Sequence, residues 1–241
     1  MRCALVIKGA VGSKTGKYTT STSSTDLNAF VDYEFCAQQI FKHIINCNKD
    51  VQFDIFIQSW SVSLEQQLIE IYKPVSTSFI NDTTIAQELK NKHKGSVGST
   101  FAEVSMCKGW EYAVNLVRDY VINTEVQYNI VIVWRIDALL WKDIKITNYN
   151  VKDKIYCTKW KWPDWSGELN RGDFHFVMNY TNFLHYYHMY SNISNTFIPF
   201  PHSTLLNYTK KHLNIILTPD NIRPGLHSGI MRNIHSRFNY K

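Results

Sequence analysis

The sequence predicts an α/β fold with a mainly parallel central sheet flanked by helices. Strand-like and helix-like segments alternate through the first third of the chain, which is the pattern of right-handed crossovers in a parallel sheet. The 241 residues are 44% apolar and 14% aromatic. That composition supports a sizeable core and excludes a disordered or fibrous chain.

The predicted strands are short apolar runs that end in polar or turn-forming residues. The strongest signal is at residues 128–134, which we expect at the centre of the sheet, and it ends abruptly at Arg135 and Asp137. The other predicted strands are residues 4–7, 53–57, 75–80, 154–158, 174–178 and 215–217.

The predicted helices carry apolar residues at intervals of three and four. Asp26 is the expected N-cap of the first, which reaches Ile45, and Ser63 is the expected N-cap of the second, over residues 64–72. Residues 81–100 are polar and predict a loop or a poorly packed helix. Three further helices are predicted at residues 101–122, 181–190 and 203–212.

Composition also bounds the class of protein. Five cysteines without a C-x-x-C pair favour neither a disulfide framework nor a structural zinc site. No stretch approaches the roughly 20 apolar residues that a membrane span needs, and Lys8 and Gly9 interrupt the amino-terminal apolar run before an export signal could form. We therefore expect a soluble, cytoplasmic protein. With neither repeat nor linker in the sequence, a single domain over 1–241 is the simplest organisation.

The net charge of +6 is modest and suits a nucleotide phosphate, a nucleic acid or solubility alone. Gly12, Gly16 and Lys17 follow the first strand, as in a phosphate-binding loop. Their spacing excludes a Walker motif, which needs four residues between the glycines and Ser or Thr after the lysine, where this chain has Tyr18.

The charged end of the central strand is the strongest candidate site. Arg135 and Asp137 are two residues apart, so an extended chain directs both to the same side. In open α/β sheets, ligands bind outside the carboxyl ends of the strands. A carboxylate there can hold a divalent cation and an arginine can bind a phosphate. The alternative is a salt bridge that closes the edge of the sheet.

Four segments in fixed order carry a family resemblance. They are ALVIKG at 4–9, DIFIQSW at 54–60, IYKP at 71–74 and YNIVIVWRID at 128–137. The second is similar to a D-x-F-I-H-T-W pattern and the last to Y-D-x-V-I-R-x-R-x-D. Together they resemble small glycosyltransferases with a GT-A-like fold, a family that includes enzymes of large DNA viruses and of bacterial polysaccharide clusters.

The resemblance implies transfer of a sugar from a nucleotide-diphosphate sugar, such as a UDP-sugar, to a glycan acceptor. Residues 1–137 would form the nucleotide-binding half and residues 138–241 the acceptor-side half. Lys8, Gly9, Trp60, Arg135 and Asp137 would line the donor site. The implied partners are the donor and the acceptor, with no nucleic acid and no membrane span; a viral chain would work in the host cytoplasm.

The resemblance also implies a divalent cation, Mn²⁺ or Mg²⁺. Asp137 would be the second acid of the metal-binding Asp-x-Asp motif, and Arg135 occupies the place of the first. This departure makes the metal requirement an open question, since an arginine can itself stabilise a diphosphate. His227 is a candidate metal ligand, with a basic tail as the alternative.

Asp173 is the candidate general base, because an inverting transfer needs a carboxylate to accept the proton of the acceptor hydroxyl. Its alternative role is to cap a turn after Gly172. Residues 159–173 are predicted to form a loop, in which Asp164 and Glu168 are reserve bases. The same loop carries three tryptophans that could bind sugar rings or be buried: Trp160, Trp162 and Trp165.

Two other classes of function remain open at this stage. A nucleotidyltransferase or kinase would also need a charged strand end, and it would release pyrophosphate or ADP rather than UDP or GDP. A non-catalytic nucleic-acid-binding protein would explain the basic tail and the aromatic loop, and its binding would weaken steeply with salt.

Overall fold

The computed structural model describes residues 1–11, 32–94, 101–163, 169–193, 205, 208–213, 215–220, 222 and 228–230. In these ranges the chain forms two β-sheets, one of seven strands and one of two. The strands are β1 Arg2–Gly9, β2 Gln52–Ser59, β3 Ser76–Phe79, β4 Ile130–Arg135, β5 Ala138–Leu140, β6 Lys154–Pro163, β7 Leu169–Met178, β8 Ile216–Pro219 and β9 Ser228–Ile230.

Five α-helices connect and cover the strands within the described ranges: α1 Tyr33–Ile40, α2 Glu65–Tyr72, α3 Asp82–Lys94, α4 Phe101–Thr124 and α5 Tyr180–His185. Several are extended by other helical turns. A π-helix at Phe41–Ile45 continues α1, a 3₁₀ turn at Val62–Leu64 leads into α2, and another at Tyr186–Met189 follows α5. Short turns also form at Ile146–Asn148 and Thr209–Leu213.

The large sheet confirms the predicted fold class. Its strand order is β3-β2-β1-β4-β7-β6-β8, so β4 is the central strand, as its sequence predicts. β3, β2, β1 and β4 are mutually parallel, β7 is antiparallel to both β4 and β6, and β6 is parallel to β8. The sheet is therefore mixed and mainly parallel.

Each face of the large sheet buries its own core, because successive residues of a strand point to opposite faces. In β1, Leu5 and Ile7 pack with α1 and α2, whereas Ala4 and Val6 pack with α4 and α5. Burial on both faces explains why the parallel strands are continuous apolar runs in the sequence.

The ends of the first two helices differ from the prediction. Asp32 caps α1, and its side chain accepts a hydrogen bond of 2.9 Å from the backbone N–H of Phe35; Asp26 lies outside the described residues. Ser63 is not the N-cap of α2. It lies within the 3₁₀ turn that precedes the helix, where backbone bonding replaces a side-chain cap.

The predicted loop over residues 159–173 is wrong for most of its length. β6 and β7 extend into it from both sides and pair with each other. Trp160 and Trp162 lie on β6, in keeping with the preference of aromatic residues for strands. Because Asp173 lies within β7, it does not cap a turn after Gly172.

Candidate functional site

Four polar residues form a row across the carboxyl ends of the parallel strands. Lys8 of β1 pairs with Gln58 of β2 and with Arg135 of β4, and Gln58 also pairs with Ser78 of β3. Paired residues of parallel strands point to the same face. This row, residues 78, 58, 8 and 135, therefore continues the face that α4 covers, at the level where the apolar core ends.

Lys8 holds a positive charge in a nearly buried position. The residue is 8% exposed, and its ammonium lies 5.1 Å from the centre of the Trp110 ring on α4. A cation over an indole face is stabilised by the ring quadrupole. A cation at the carboxyl end of a strand attracts anions, so this position is suited to an anionic ligand.

Backbone hydrogen bonds tie the three strand ends together at Gly9. The amide of Ile136 donates to the carbonyl of Lys8 at 3.0 Å, and the amide of Trp60 donates to the carbonyl of Gly9 at 3.4 Å. Gly9 has φ of 122°, a conformation that residues with a side chain rarely adopt. The glycine thus lets the chain leave β1 while its carbonyl stays bonded to β2.

Arg135 and Asp137 form the salt bridge that one interpretation of the sequence anticipates. Nε and Nη2 of Arg135 each donate to a different oxygen of Asp137, both at 2.9 Å. Asp137 is 2% exposed, whereas the Arg135 side chain is 21% exposed. Arg135 is therefore the more solvent-accessible partner of this ion pair at the carboxyl end of β4.

The Asp137 carboxylate also lies close enough to α1 for its charge to act on Cys36. Burial, with a smaller contribution from the Asp137 charge, raises the pKa of the Cys36 thiol. That thiol is fully buried.

The described residues do not by themselves fit a divalent cation at this point. Both oxygens of Asp137 accept hydrogen bonds from Arg135, so a cation would have to share them with a guanidinium. No group of three or more His, Cys, Asp or Glu side chains gathers anywhere in the described part of the chain. His227, the other predicted ligand, lies outside it.

The structure describes only some of the residues that were predicted on the acceptor side. Asp173 lies on β7, and Trp160 and Trp162 on β6, with their side chains outside the described part of the structure. Asp164, Trp165 and Glu168 lie outside the described residues altogether.

Gln58 is a site residue that sequence reasoning missed. It is completely buried, and neither its amide nitrogen nor its amide oxygen has a hydrogen-bond partner; no other described side chain has two such atoms. A buried polar group without a partner costs about 1–3 kcal/mol. In the sequence, a glutamine after an apolar run indicates only where a strand ends.

A second set of residues missed by the sequence analysis joins β6, β7 and the end of β8. His175 bonds to the hydroxyl of Thr158 at 2.9 Å through Nδ1 and to the carboxylate of Asp220 at 2.8 Å through Nε2. Tyr149 donates to the same carboxylate oxygen at 2.6 Å, and burial, together with Asp220, raises the pKa of that tyrosine.

This buried chain of hydrogen bonds lies on the antiparallel side of the sheet. Both ring nitrogens of His175 have a hydrogen-bond partner, so the side chain is fully satisfied although it is buried. His175 is fully buried and stacks on Trp134 of β4. It lies on β7 two residues after Asp173, and its hydrogen bonds tie that strand to β6 and to the end of β8.

The sequence matches no known family profile and no curated protein. Its fold does match solved structures. One of them is mouse xyloside xylosyltransferase 1 in its apo form, with a TM-score of 0.55, 9% identity, and coverage of 93% of this chain and 87% of the other. This structural match shows that the chain has the fold of a GT-A glycosyltransferase.

None of the helices in the described residues is long and apolar enough to cross a membrane.

Proposed function

We propose that this chain transfers a sugar from a nucleotide-diphosphate sugar to a glycan acceptor. The observation that supports the proposal most strongly is the pairing of Lys8 with Arg135 at the carboxyl ends of β1 and β4. Two adjacent cations at that edge of a GT-A sheet suit a diphosphate, because ligands of open α/β sheets bind outside the strand ends.

The chemistry of sugar transfer explains why cations belong there. As the bond between the sugar carbon and the diphosphate oxygen breaks, negative charge grows on the leaving diphosphate. Preorganised cations stabilise that charge in the transition state. In the proposed complex, Lys8 binds the diphosphate as a point charge, while the planar guanidinium of Arg135 orients a phosphate oxygen.

Asp137 holds Arg135 in place for this role. Its two hydrogen bonds fix the plane of the guanidinium at the end of β4. A guanidinium has five N–H donors, of which Asp137 takes two, so ion pairing and phosphate binding are compatible. A divalent cation at Asp137 and His227 remains a prediction, and the proposed step does not depend on it.

The acceptor would approach from the half formed by residues 138–241. Asp173 is our proposed general base there. Its place on β7, beside the central strand β4, supports this role, because a base must reach the acceptor hydroxyl next to the bound donor.

Two finer expectations accompany the proposal. Membership in the family of viral and bacterial enzymes rests on the four sequence segments alone. A reducing compartment such as the cytoplasm suits the cysteines, since none of the five forms a disulfide in the structure.

Thermal shift with nucleotide sugars tests the proposal. UDP-, GDP- and TDP-sugars are added with and without Mn²⁺, and the preferred donor should stabilise the protein by about 2.7 kcal/mol at a hundred times its dissociation constant. Release of the nucleoside diphosphate on adding a glycan would then identify the reaction. Release of pyrophosphate would instead favour a nucleotidyltransferase.

The D137A variant tests the metal prediction in the same assay. If Asp137 is a ligand, D137A removes the part of the shift that depends on Mn²⁺. D119A removes an exposed carboxylate on α4 and serves as the matched control. Absence of a shift with every nucleotide sugar would contradict the proposed function.

A further inference from the structure

The unpartnered amide of Gln58 lies beside the proposed diphosphate site. Gln58 and Lys8 are register partners on adjacent strands, and both point to the face that α4 covers. In folded proteins, buried polar groups that lack a hydrogen-bond partner occur mainly at functional or strained positions. A leucine or methionine would fill the same space without burying two unbonded polar atoms, so the amide is better explained by a ligand.

Helix α4 comes unusually close to Gln58. A Cβ atom added at Gly109 would lie 3.1 Å from Oε1 of Gln58 and 3.6 Å from Nε1 of Trp60. The amide and the indole therefore lie side by side against the bare backbone of α4. Trp60 is partly exposed and contacts Tyr112 edge to face, so its ring borders both the solvent and the amide.

The place of Gln58 in the sheet indicates which part of a donor it can reach. In doubly wound sheets the diphosphate lies at the end of the first strand, and the nucleoside lies on the side of the second strand. Lys8 is the last residue but one of the first strand, and Gln58 is the last but one of the second. A diphosphate at Lys8 would thus direct its nucleoside toward Gln58 and Trp60.

We propose that Gln58 binds the nucleobase of the donor. This inference rests on the proposed function and specifies its nucleotide subsite. A glutamine amide offers one acceptor and two donors, which complement a base edge that carries adjacent donor and acceptor groups. The Trp60 indole supplies a flat apolar surface beside that edge, and bases stack on aromatic rings without requiring one sequence.

The test is isothermal titration of the full chain with UDP, GDP, CDP, ADP and inorganic pyrophosphate, with and without Mn²⁺. In Q58L, the preferred nucleotide should bind about tenfold more weakly, the loss expected from about 1.4 kcal/mol of hydrogen bonding. Pyrophosphate binding should stay within about twofold, because Gln58 does not contact the diphosphate. The melting temperature should be equal or higher, since an unbonded amide is removed.

Two further variants distinguish a specific loss of base binding from a general effect of replacing a glutamine or from a failure to fold. Q66L removes a glutamine on the exposed side of α2 and should leave every affinity unchanged. Q58M keeps the length of the side chain and should reproduce the loss if Q58L does not fold. If nucleotides bind the native chain and both position-58 variants equally, Gln58 is not the base-binding residue, although the proposed function stands. If no nucleotide binds the native chain, both proposals fail.

Discussion

The two edges of the parallel sheet carry the same kind of ion pair in different surroundings. At the amino edge, Arg2 donates to Asp54 at 2.6 Å, and the hydroxyl of Tyr128 donates to the same oxygen at 2.8 Å. At the carboxyl edge, Arg135 and Asp137 pair through two bonds. Only the second pair lies in a row with another cation and an unbonded amide.

The difference separates a structural role from a proposed functional one. The amino-edge cluster of Arg2, Asp54 and Tyr128 joins β1, β2 and the start of β4, and it satisfies its own buried carboxylate. The carboxyl-edge row leaves the Gln58 amide without a partner. An arginine–aspartate pair therefore says little about function until its neighbours are known.

Loss of the carboxyl-edge cation is expected to have the largest effect. R135M removes the guanidinium that would orient the leaving diphosphate, and loss of one such group typically lowers turnover by about 10²–10³-fold. R2M, the matched change at the amino edge, should leave turnover within about threefold. Release of nucleoside diphosphate from the donor measures both variants. Equal losses in the two would mean that the edges do not differ in function.

The amino-edge pair should contribute to stability. R2M leaves the nearly buried Asp54 with the Tyr128 hydroxyl alone. Breaking a fully buried pair costs about 3–5 kcal/mol, and because the Arg2 side chain is 29% exposed we expect a loss of about 2 kcal/mol. Urea denaturation measures it. A loss below about 0.5 kcal/mol would place the pair among ordinary surface salt bridges.

Alkaline pH should weaken the amino edge further. Burial, together with the hydrogen bond to Asp54, raises the pKa of Tyr128 above its usual value. The unfolded chain then loses this proton at a lower pH than the folded chain does. Stability is complete below about pH 10 and falls as the pH rises above it, by up to about 1.4 kcal/mol per pH unit for each such tyrosine.

Urea denaturation over a series of pH values measures this slope. Y128F should show a shallower decline than the native chain above about pH 10. Other buried tyrosines contribute a background; burial also raises the pKa of Tyr208, to about 12. An identical slope in Y128F would show that Tyr128 ionises as readily when folded as when unfolded.

Sequence patterns predicted the parallel part of the fold well because its signals are local. Apolar runs indicated β1, β2 and β4, and three-and-four spacing indicated α4 almost to its ends. The antiparallel part was predicted less well. β6 and β7 extend through a polar, tryptophan-rich segment, where pairing between the strands outweighs local composition.

The residues of the candidate site also divide into those that local spacing brings together and those that only the fold brings together. The i, i+2 spacing of Arg135 and Asp137 indicated that the two side chains lie close together, and they do form an ion pair, although β4 ends at Arg135, and Asp137 lies in the turn that follows. No spacing connects Lys8 with Gln58, or His175 with Thr158 and Asp220, because those residues are 17 to 50 positions apart and meet through strand register.

The fold class, the central strand and the charged residues at its end follow from the amino-acid sequence alone. Periodicity and spacing act over a few residues, so they can be read without knowing the fold. The neighbours of each strand, the contact of Arg135 with both oxygens of Asp137, and the burial of the Gln58 amide without a partner emerge only when the chain folds. Those features arise from contacts between segments far apart in the chain, whose geometry is set when the sheet assembles.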